Sequence, residues 1–288
     1  MANSDKRKNG LINIIINDLL SSFFKGNSLA ALFFGSVVVF IKSLSYVRYS
    51  GGHTVNIFEG FLLNFSSKID VMFILIPTLL LFIDAPFIDD YSFLSVYRIK
   101  RKKWFYSKYI YIILKTIIFN ILLLLVSMLP LVTMGYMENK WSQTFLRIMN
   151  GYTNRMEEYN IPSPKVSIST LTPTKTVIIT VVLFSLYIIF ISEIIFTFNM
   201  VFKRKYIGTV VVGLIYIIKT ILDRQSFMFP QIDKISFIRN AIFPMGYQPE
   251  LSGYGFSILY MILLNYIVYI FASTLYPFAD FEESNNEN

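Results

Sequence analysis

Six times between Leu29 and Tyr276 the sequence runs through an apolar stretch long enough to cross a bilayer, at about residues 29–47, 69–88, 109–134, 176–202, 206–222 and 256–276. Crossing about 30 Å of hydrocarbon as a helix takes roughly 17–25 residues. Lipid offers no water to stray backbone groups, so each stretch must close its hydrogen bonds internally. A closed barrel is the other solution, but the alternation of lipid-facing and lumen-facing residues that its strands need is missing. The expectation is an all-α, polytopic membrane protein with six transmembrane helices, forming one domain over residues 1–288. Composition agrees: 55% of residues are hydrophobic and 15% charged, against about 45–50% and 25% in soluble domains.

Residues 10–25 precede the first span. Asn13, Asn17, Asp18, Ser21, Ser22 and Lys25 share one helical face there, and Ile12, Ile15, Ile16, Leu19, Leu20, Phe23 and Phe24 fill the other. That split predicts an amphipathic helix lying in the membrane interface. Asp18 and the polar stripe interrupt the apolar run that a signal peptide needs. Basic residues then orient the chain. Lys6, Arg7 and Lys8, the segment with Arg98, Lys100, Arg101, Lys102, Lys103 and Lys108, and the turn Lys203-Arg204-Lys205 all fall on one side. Basic excess in short loops marks the cytoplasm, so both termini are expected inside.

The opposite side carries the 48–68 loop and the long segments 135–175 and 223–255. In the 135–175 segment Trp141, Phe145, Ile148, Met149, Tyr152, Met156 and Tyr159 recur at helical spacing, which predicts a short amphipathic helix. Ser226–Pro230 and Ile235–Met245 are apolar but too short to span, so shallow or re-entrant segments are expected.

Several chemistries are excluded. With no Cys there is no disulfide, thiol nucleophile or thiolate metal site. His53 is the single histidine, so HExxH-type metal sites cannot form within one chain, and no catalytic or metal-binding residues are assigned. Glu157-Glu158 lies in an outer segment without the His partners of a membrane metalloprotease. No GxxxxGK[ST] or GxGxxG pattern is present, so no ATP site or cofactor belongs to this chain. The net charge of +8 is assigned to loops held against anionic membrane lipid, not to nucleic acid.

Asp84, Lys115 and Glu193 fall inside expected spans, each in the cytoplasmic half. Ionisable groups at such depth are costly and usually face a bundle interior in pairs. Lys115 is expected to pair with Asp84 or with Glu193. Lys42 and Lys219, in the outward halves of spans one and five, have stems long enough to snorkel to the interface. Small residues mark close helix contacts: Ala31 and Gly35 in span one, Gly208 and Gly213 in span five.

An interfacial helix, six spans, a tight basic loop after the second span and partly embedded segments before the sixth together resemble the membrane subunit of a type-2 ABC exporter. The local match is Tyr97–Tyr109, YRIKRKKWFYSKY, where an Arg-containing basic turn, an aromatic and then a Lys lead into the third span. The resemblance implies that Arg98, Lys100, Arg101, Lys102, Lys103, Trp104 and Lys108 form a coupling contact with a separate cytoplasmic ABC ATPase, which binds ATP and Mg. Lys203, Arg204 and Lys205 would add a smaller contact. It also implies a second permease subunit, a homodimer whose spans one and five meet at a seam; Ala31, Gly35, Gly208 and Gly213 would serve that dimer packing. Function follows as a permease for a hydrophobic or amphipathic substrate. Peptides are favoured, because Ile-, Asn-, Lys- and Phe-rich exporters of peptide toxins in the plasma membrane of low-GC Gram-positive bacteria, such as the phenol-soluble modulin system, look like this. The alternative is a secondary transporter driven by an ion gradient, with three spans on either side of the central outer segment as an inverted repeat and coupling through Asp84 or Glu193.

Overall fold

The computed structural model describes residues 12, 15–86, 101–150, 156, 159, 161, 171–225, 236–242 and 251–276, and most of these are helical. A short helix α1 covers residues 15–23. Then come α2 (Gly26–Ser50), strand β1 (Val55–Asn56), α3 (Glu59–Asn64), α4 (Lys68–Phe82) and α5 (Arg101–Met128). A 3-10 turn over Leu129–Leu131 leads into strand β2 (Gly135–Tyr136), and α6 (Gln143–Met149) follows. The chain finishes with α7 (Pro173–Phe202), α8 (Ile207–Gln225), α9 (Phe237–Ala241) and α10 (Leu251–Leu275).

Local chemistry sets the ends. Gly51 takes a left-handed conformation (φ 59°) and its N–H returns to the Arg48 carbonyl, closing α2. Ser67, Ser142 and Ser236 cap α4, α6 and α9 by accepting the N–H three residues on. Pro173 occupies the first turn of α7, where its missing N–H costs nothing.

Four helices are long and apolar enough to cross a membrane: Gly26–Ser50, Arg101–Leu131, Pro173–Phe202 and Tyr254–Leu275. The second and fifth expected spans come out shorter, with apolar helix over Ile69–Phe82 and Ile207–Leu222. The reason is visible at α4. Pro86 has no N–H to extend the ladder and disfavours helical backbone at Ala85, so the helix does not continue, and the carbonyls of Ile83 and Ala85 are taken by the side chain of Asn199 on α7.

On the other side of α4 the chain arrives from depth. Residues 55–65, expected within an outer loop, are buried almost throughout, and Phe65 packs on Phe184 with ring centroids 4.4 Å apart. Phe184 lies eleven residues into α7, about 17 Å along it. The short helix α9 makes a similar dip: Phe237 contacts Tyr187, Phe190 and Tyr216. Part of the expected re-entrant stretch 235–245 thus folds as a buried helix, while Ser226–Pro230 lies outside the described residues.

The main packing joins α10 to α7, α2 to α4, α7 to α8 and α2 to α5. The starts of α2, α5 and α8 meet the ends of α4, α7 and α10 at one end of the bundle, called the basic end below. The opposite end is closed by β1, α3, β2 and α6. Large apolar side chains including Phe33, Ile41, Phe73, Ile117, Leu125, Ile217 and Leu259 stand exposed around the bundle. That surface suits hydrocarbon rather than water.

Candidate functional site

The helix α1 meets the bundle through Asp18 and Ser22, with Ile15 buried on the same side, while Asn17 and Ser21 are exposed. Asp18 forms a 2.8 Å ion pair with Lys108 of α5, and the Tyr111 hydroxyl donates to Ser22 Oγ at 2.7 Å. Ile12, Ile16, Leu20 and Phe24, one turn apart, remain exposed on another side. A helix in water turns its apolar stripe inward; this orientation fits a lipid interface.

The same contacts correct the reading of the basic segment. Lys108 and Trp104 are each 1% exposed, so neither offers a docking surface. Lys108 holds α1, and Trp104 packs toward Phe196 of α7. Both point inward because a helix starting at Arg101 puts positions 104 and 108 on its buried side. Among the described residues the exposed cations of this segment are Arg101, Lys102 and Lys103, on the first turn of α5. Arg98 and Lys100 lie outside the described residues.

Lys115 is fully buried two turns further along α5. Its ammonium donates to Ser28 Oγ at 3.0 Å and to the Leu81 carbonyl at 2.9 Å. The rings of Phe23, Phe82 and Tyr111 lie 5.5–5.6 Å from it. One cation therefore ties α1, α2, α4 and α5 together. Asp84 lies beside this group, where it accepts from Asn27 Nδ2 at 3.2 Å and its charge reaches Lys115. Glu193 sits elsewhere, on α7 next to Tyr109. It is 4% exposed, and its Oε2 has no hydrogen-bond partner among the described residues. Lys42 forms an ion pair with Asp70 in the first turn of α4 instead of snorkelling, and Lys219 is buried on α8.

Asn199, which the sequence reading passed over, organises the basic end. Its Nδ2 donates to the carbonyls of Ile83 (3.2 Å) and Ala85 (2.6 Å), and its Oδ1 accepts from Gly208 N–H at 2.7 Å. Three helix ends meet on one amide. The turn it braces carries Lys203, Arg204 and Lys205, all exposed. Lys203 (φ 55°) and Tyr206 (φ 78°) adopt left-handed conformations there, which side-chain-bearing residues hold only when their surroundings impose it. A polar residue within FTFNMVF was the available signal.

The small residues assigned to a dimer seam are largely used inside the chain. A Cβ on Gly35 would come within 3.2 Å of Phe119 and 3.3 Å of Leu123 on α5. One on Gly208 would run into the Ile195 backbone of α7. Ala31 is fully buried in the core. At Gly213 alone of these four is there open space for a Cβ.

A second polar centre closes the far end. Glu59 is fully buried, yet its carboxylate accepts from Tyr46 OH (2.7 Å), Asn56 N–H (3.0 Å), Ser142 N–H (2.7 Å) and Ser142 OH (2.8 Å). Asn56 also donates to the carbonyls of Glu138 and Lys140. Parallel pairing of Val55 with Gly135 and Asn56 with Tyr136 fixes the register. Burial pushes the Glu59 carboxyl above its ordinary value, with the hydrogen bonds from Ser142, Tyr46 and Asn56 opposing. Here Phe145, Ile148 and Met149 of α6 are buried against the protein, and Trp141 stacks on Phe145 while donating to the Leu171 carbonyl.

Comparison with family models, with curated proteins and with solved structures returns no match.

Proposed function

We propose that the chain is the membrane-spanning permease subunit of an ATP-driven exporter, with six passes and both termini on the cytoplasmic side. In this reading it acts as a pair of identical subunits, and a separate ABC ATPase binds ATP and Mg. The substrate is hydrophobic or amphipathic, with peptides first in order. The observation that carries the reading is the set of exposed cations at one end of the bundle. Arg101, Lys102 and Lys103 open α5, and Lys203, Arg204 and Lys205 form the turn between α7 and α8. Asn199 links the latter turn to the end of α4, whose chain leads on to residue 101. A push on the Lys203–Lys205 turn is thereby passed to three helices. The absence of a phosphate-cradling motif from the sequence supports an external ATPase.

The test is co-expression with each ABC ATPase found among the genes that flank this one; finding none there counts against the reading. The ATPase is expected to copurify with the parent chain and to be lost when Arg101, Lys102 and Lys103 are all changed to Glu, while the variant remains monodisperse. ATP turnover by the purified chain alone, or transport in vesicles on a proton gradient without ATP, would defeat the reading.

A further inference from the structure

Four polar atoms lie inside the packing between α5 and α7: Tyr109 OH, Thr116 Oγ1 and Asn120 Oδ1 on α5, and Glu193 Oε2 on α7; the last three have no hydrogen-bond partner among the described residues, and Tyr109 OH has only Thr197 within reach. The four residues are 6%, 0%, 1% and 4% exposed. Thr197, beside Tyr109, donates its own hydroxyl to the Glu193 carbonyl at 2.6 Å. Positions 109, 116 and 120 follow intervals of seven and four, so they share one face of α5. That face looks onto α7. Asn120 Nδ2 donates to Ser185 Oγ at 2.7 Å, Phe105 and Tyr109 both contact Phe196, and Tyr109 lies by Glu193.

The two helices run antiparallel, so these contacts set a register in which the four atoms form a row. It starts at Glu193 and Tyr109, passes Thr116 and ends at Asn120, near the middle of the span. With a rise of about 1.5 Å per residue, the steps along α5 are about 10 Å and 6 Å. Direct hydrogen bonds cannot cover such steps; intervening water can. Native proteins rarely leave buried polar atoms unpaired, and where protein supplies no partner an ordered water does. The aromatic rings of Phe105, Phe196 and Tyr269 crowd around Tyr109 at the basic end of the row, and Tyr276 stacks on Phe105.

Glu193 is the acid of this row. Of the elements packed against α7, α5 presents Tyr109 to it, and α10 presents Tyr269 to Tyr109. The other elements packed against α7 carry Asp70 on α4, Lys219 on α8, Arg239 on α9 and Glu59 on α3, and among the described residues none of these forms an ion pair with Glu193. A carboxylate buried without a cation is costly, and a proton delivered along water removes that cost. We propose that the seam between α5 and α7 holds a file of internal water ending on Glu193, and that Glu193 takes up and releases a proton through it. A hydronium in the file gives its proton to Oε2, leaving water and a neutral carboxylic acid; release reverses the step. The proposal stands independently of the export reading.

Infrared difference spectroscopy on the full chain in phosphatidylcholine–phosphatidylglycerol vesicles tests it. An acid-minus-alkaline spectrum is expected to contain a carboxyl C=O band that Glu193→Gln removes and Glu193→Asp moves. In D2O that band should shift at least about tenfold faster than the backbone amides of α5 and α7 exchange. Thr116→Val combined with Asn120→Leu should slow the shift toward the amide rate. A spectrum without such a band, a band exchanging only as fast as the amides, or a shift indifferent to the double substitution overturns the proposal. Should Glu193→Gln fail to fold, Glu193→Asp supplies the assignment and the parent chain's exchange rate decides the matter.

Discussion

Glu59 and Glu193 are both acids buried within this bundle, and what separates them is the supply of donors. The Glu59 carboxylate receives four hydrogen bonds, from the end of α2, from β1 and from the cap of α6. Chain segments far apart in sequence converge to supply them, and the result is a closed end. Oε2 of Glu193 has no partner among the described residues, and the groups beside it on α5 carry unpaired atoms of their own. Saturated polar groups specify one arrangement; unsaturated ones leave room for water and for exchange. The capped end is therefore built to stay as it is, and the seam that leads to the basic end is not.

The largest expected effect follows directly. Glu59→Ala strands donors on Tyr46, Asn56 and Ser142, and each unpaired buried group costs about 1–3 kcal/mol. Thermal unfolding in detergent should show a loss of about 4 kcal/mol or more, or no monodisperse protein at all. Glu193→Gln removes no hydrogen bond at Oε2 and should stay within about 1 kcal/mol of the parent. Equal losses at the two positions would end the contrast between them.

The clamp between α1 and α5 comes next. Asp18→Ala leaves the Lys108 ammonium buried beside Trp104, at a cost of about 3 kcal/mol. Adding Lys108→Met should recover much of that loss, because the buried charge disappears with it. Additive losses in this double-mutant cycle would mean that the pair contributes nothing as a pair.

How much of this was legible in the sequence depended on the range of the signal. Apolar length gave the helices, and the split face of residues 10–25 gave α1 with its exposed Ile16, Leu20 and Phe24. Helix ends were mixed: Pro86 marks where α4 stops, but the capture of its last carbonyls by Asn199, more than a hundred residues away, has no local signal. The Glu59 centre was missed because residues 48–68 read as loop. Yet a largely apolar run around one acid, VNIFEGFLL, was a signal that the segment is buried. Trp104 and Lys108 were assigned to a coupling contact by the family resemblance, whereas the phase of α5 decides that they face inward. Small residues announced close contacts correctly, but not whether the neighbour was another copy or the same chain.

That last distinction supplies a smaller effect. Gly208→Ala forces a methyl into the Ile195 backbone and should cost about 1–3 kcal/mol in the isolated subunit. Gly213→Ala meets open space and should change subunit stability by less than about 0.5 kcal/mol. If Gly213→Ala instead weakens self-association measured by light scattering, α8 faces a second copy at that position.

The subtlest effect is the pH dependence of the capped end. Burial holds the Glu59 carboxyl above 4.5, so the folded state binds its proton more tightly than the unfolded state does. The stabilisation this provides is complete below the unfolded value and fades as pH climbs through the folded one. Ion-paired carboxylates such as Asp18 slope the other way, so the informative quantity is the parent's unfolding midpoint minus that of Glu59→Gln, which has no proton to lose. This difference should fall as pH rises from 4.5 toward neutrality. A difference that rises instead would mean that four donors outweigh burial and hold Glu59 as an anion, making it the fixed negative counterpart of an exchangeable Glu193.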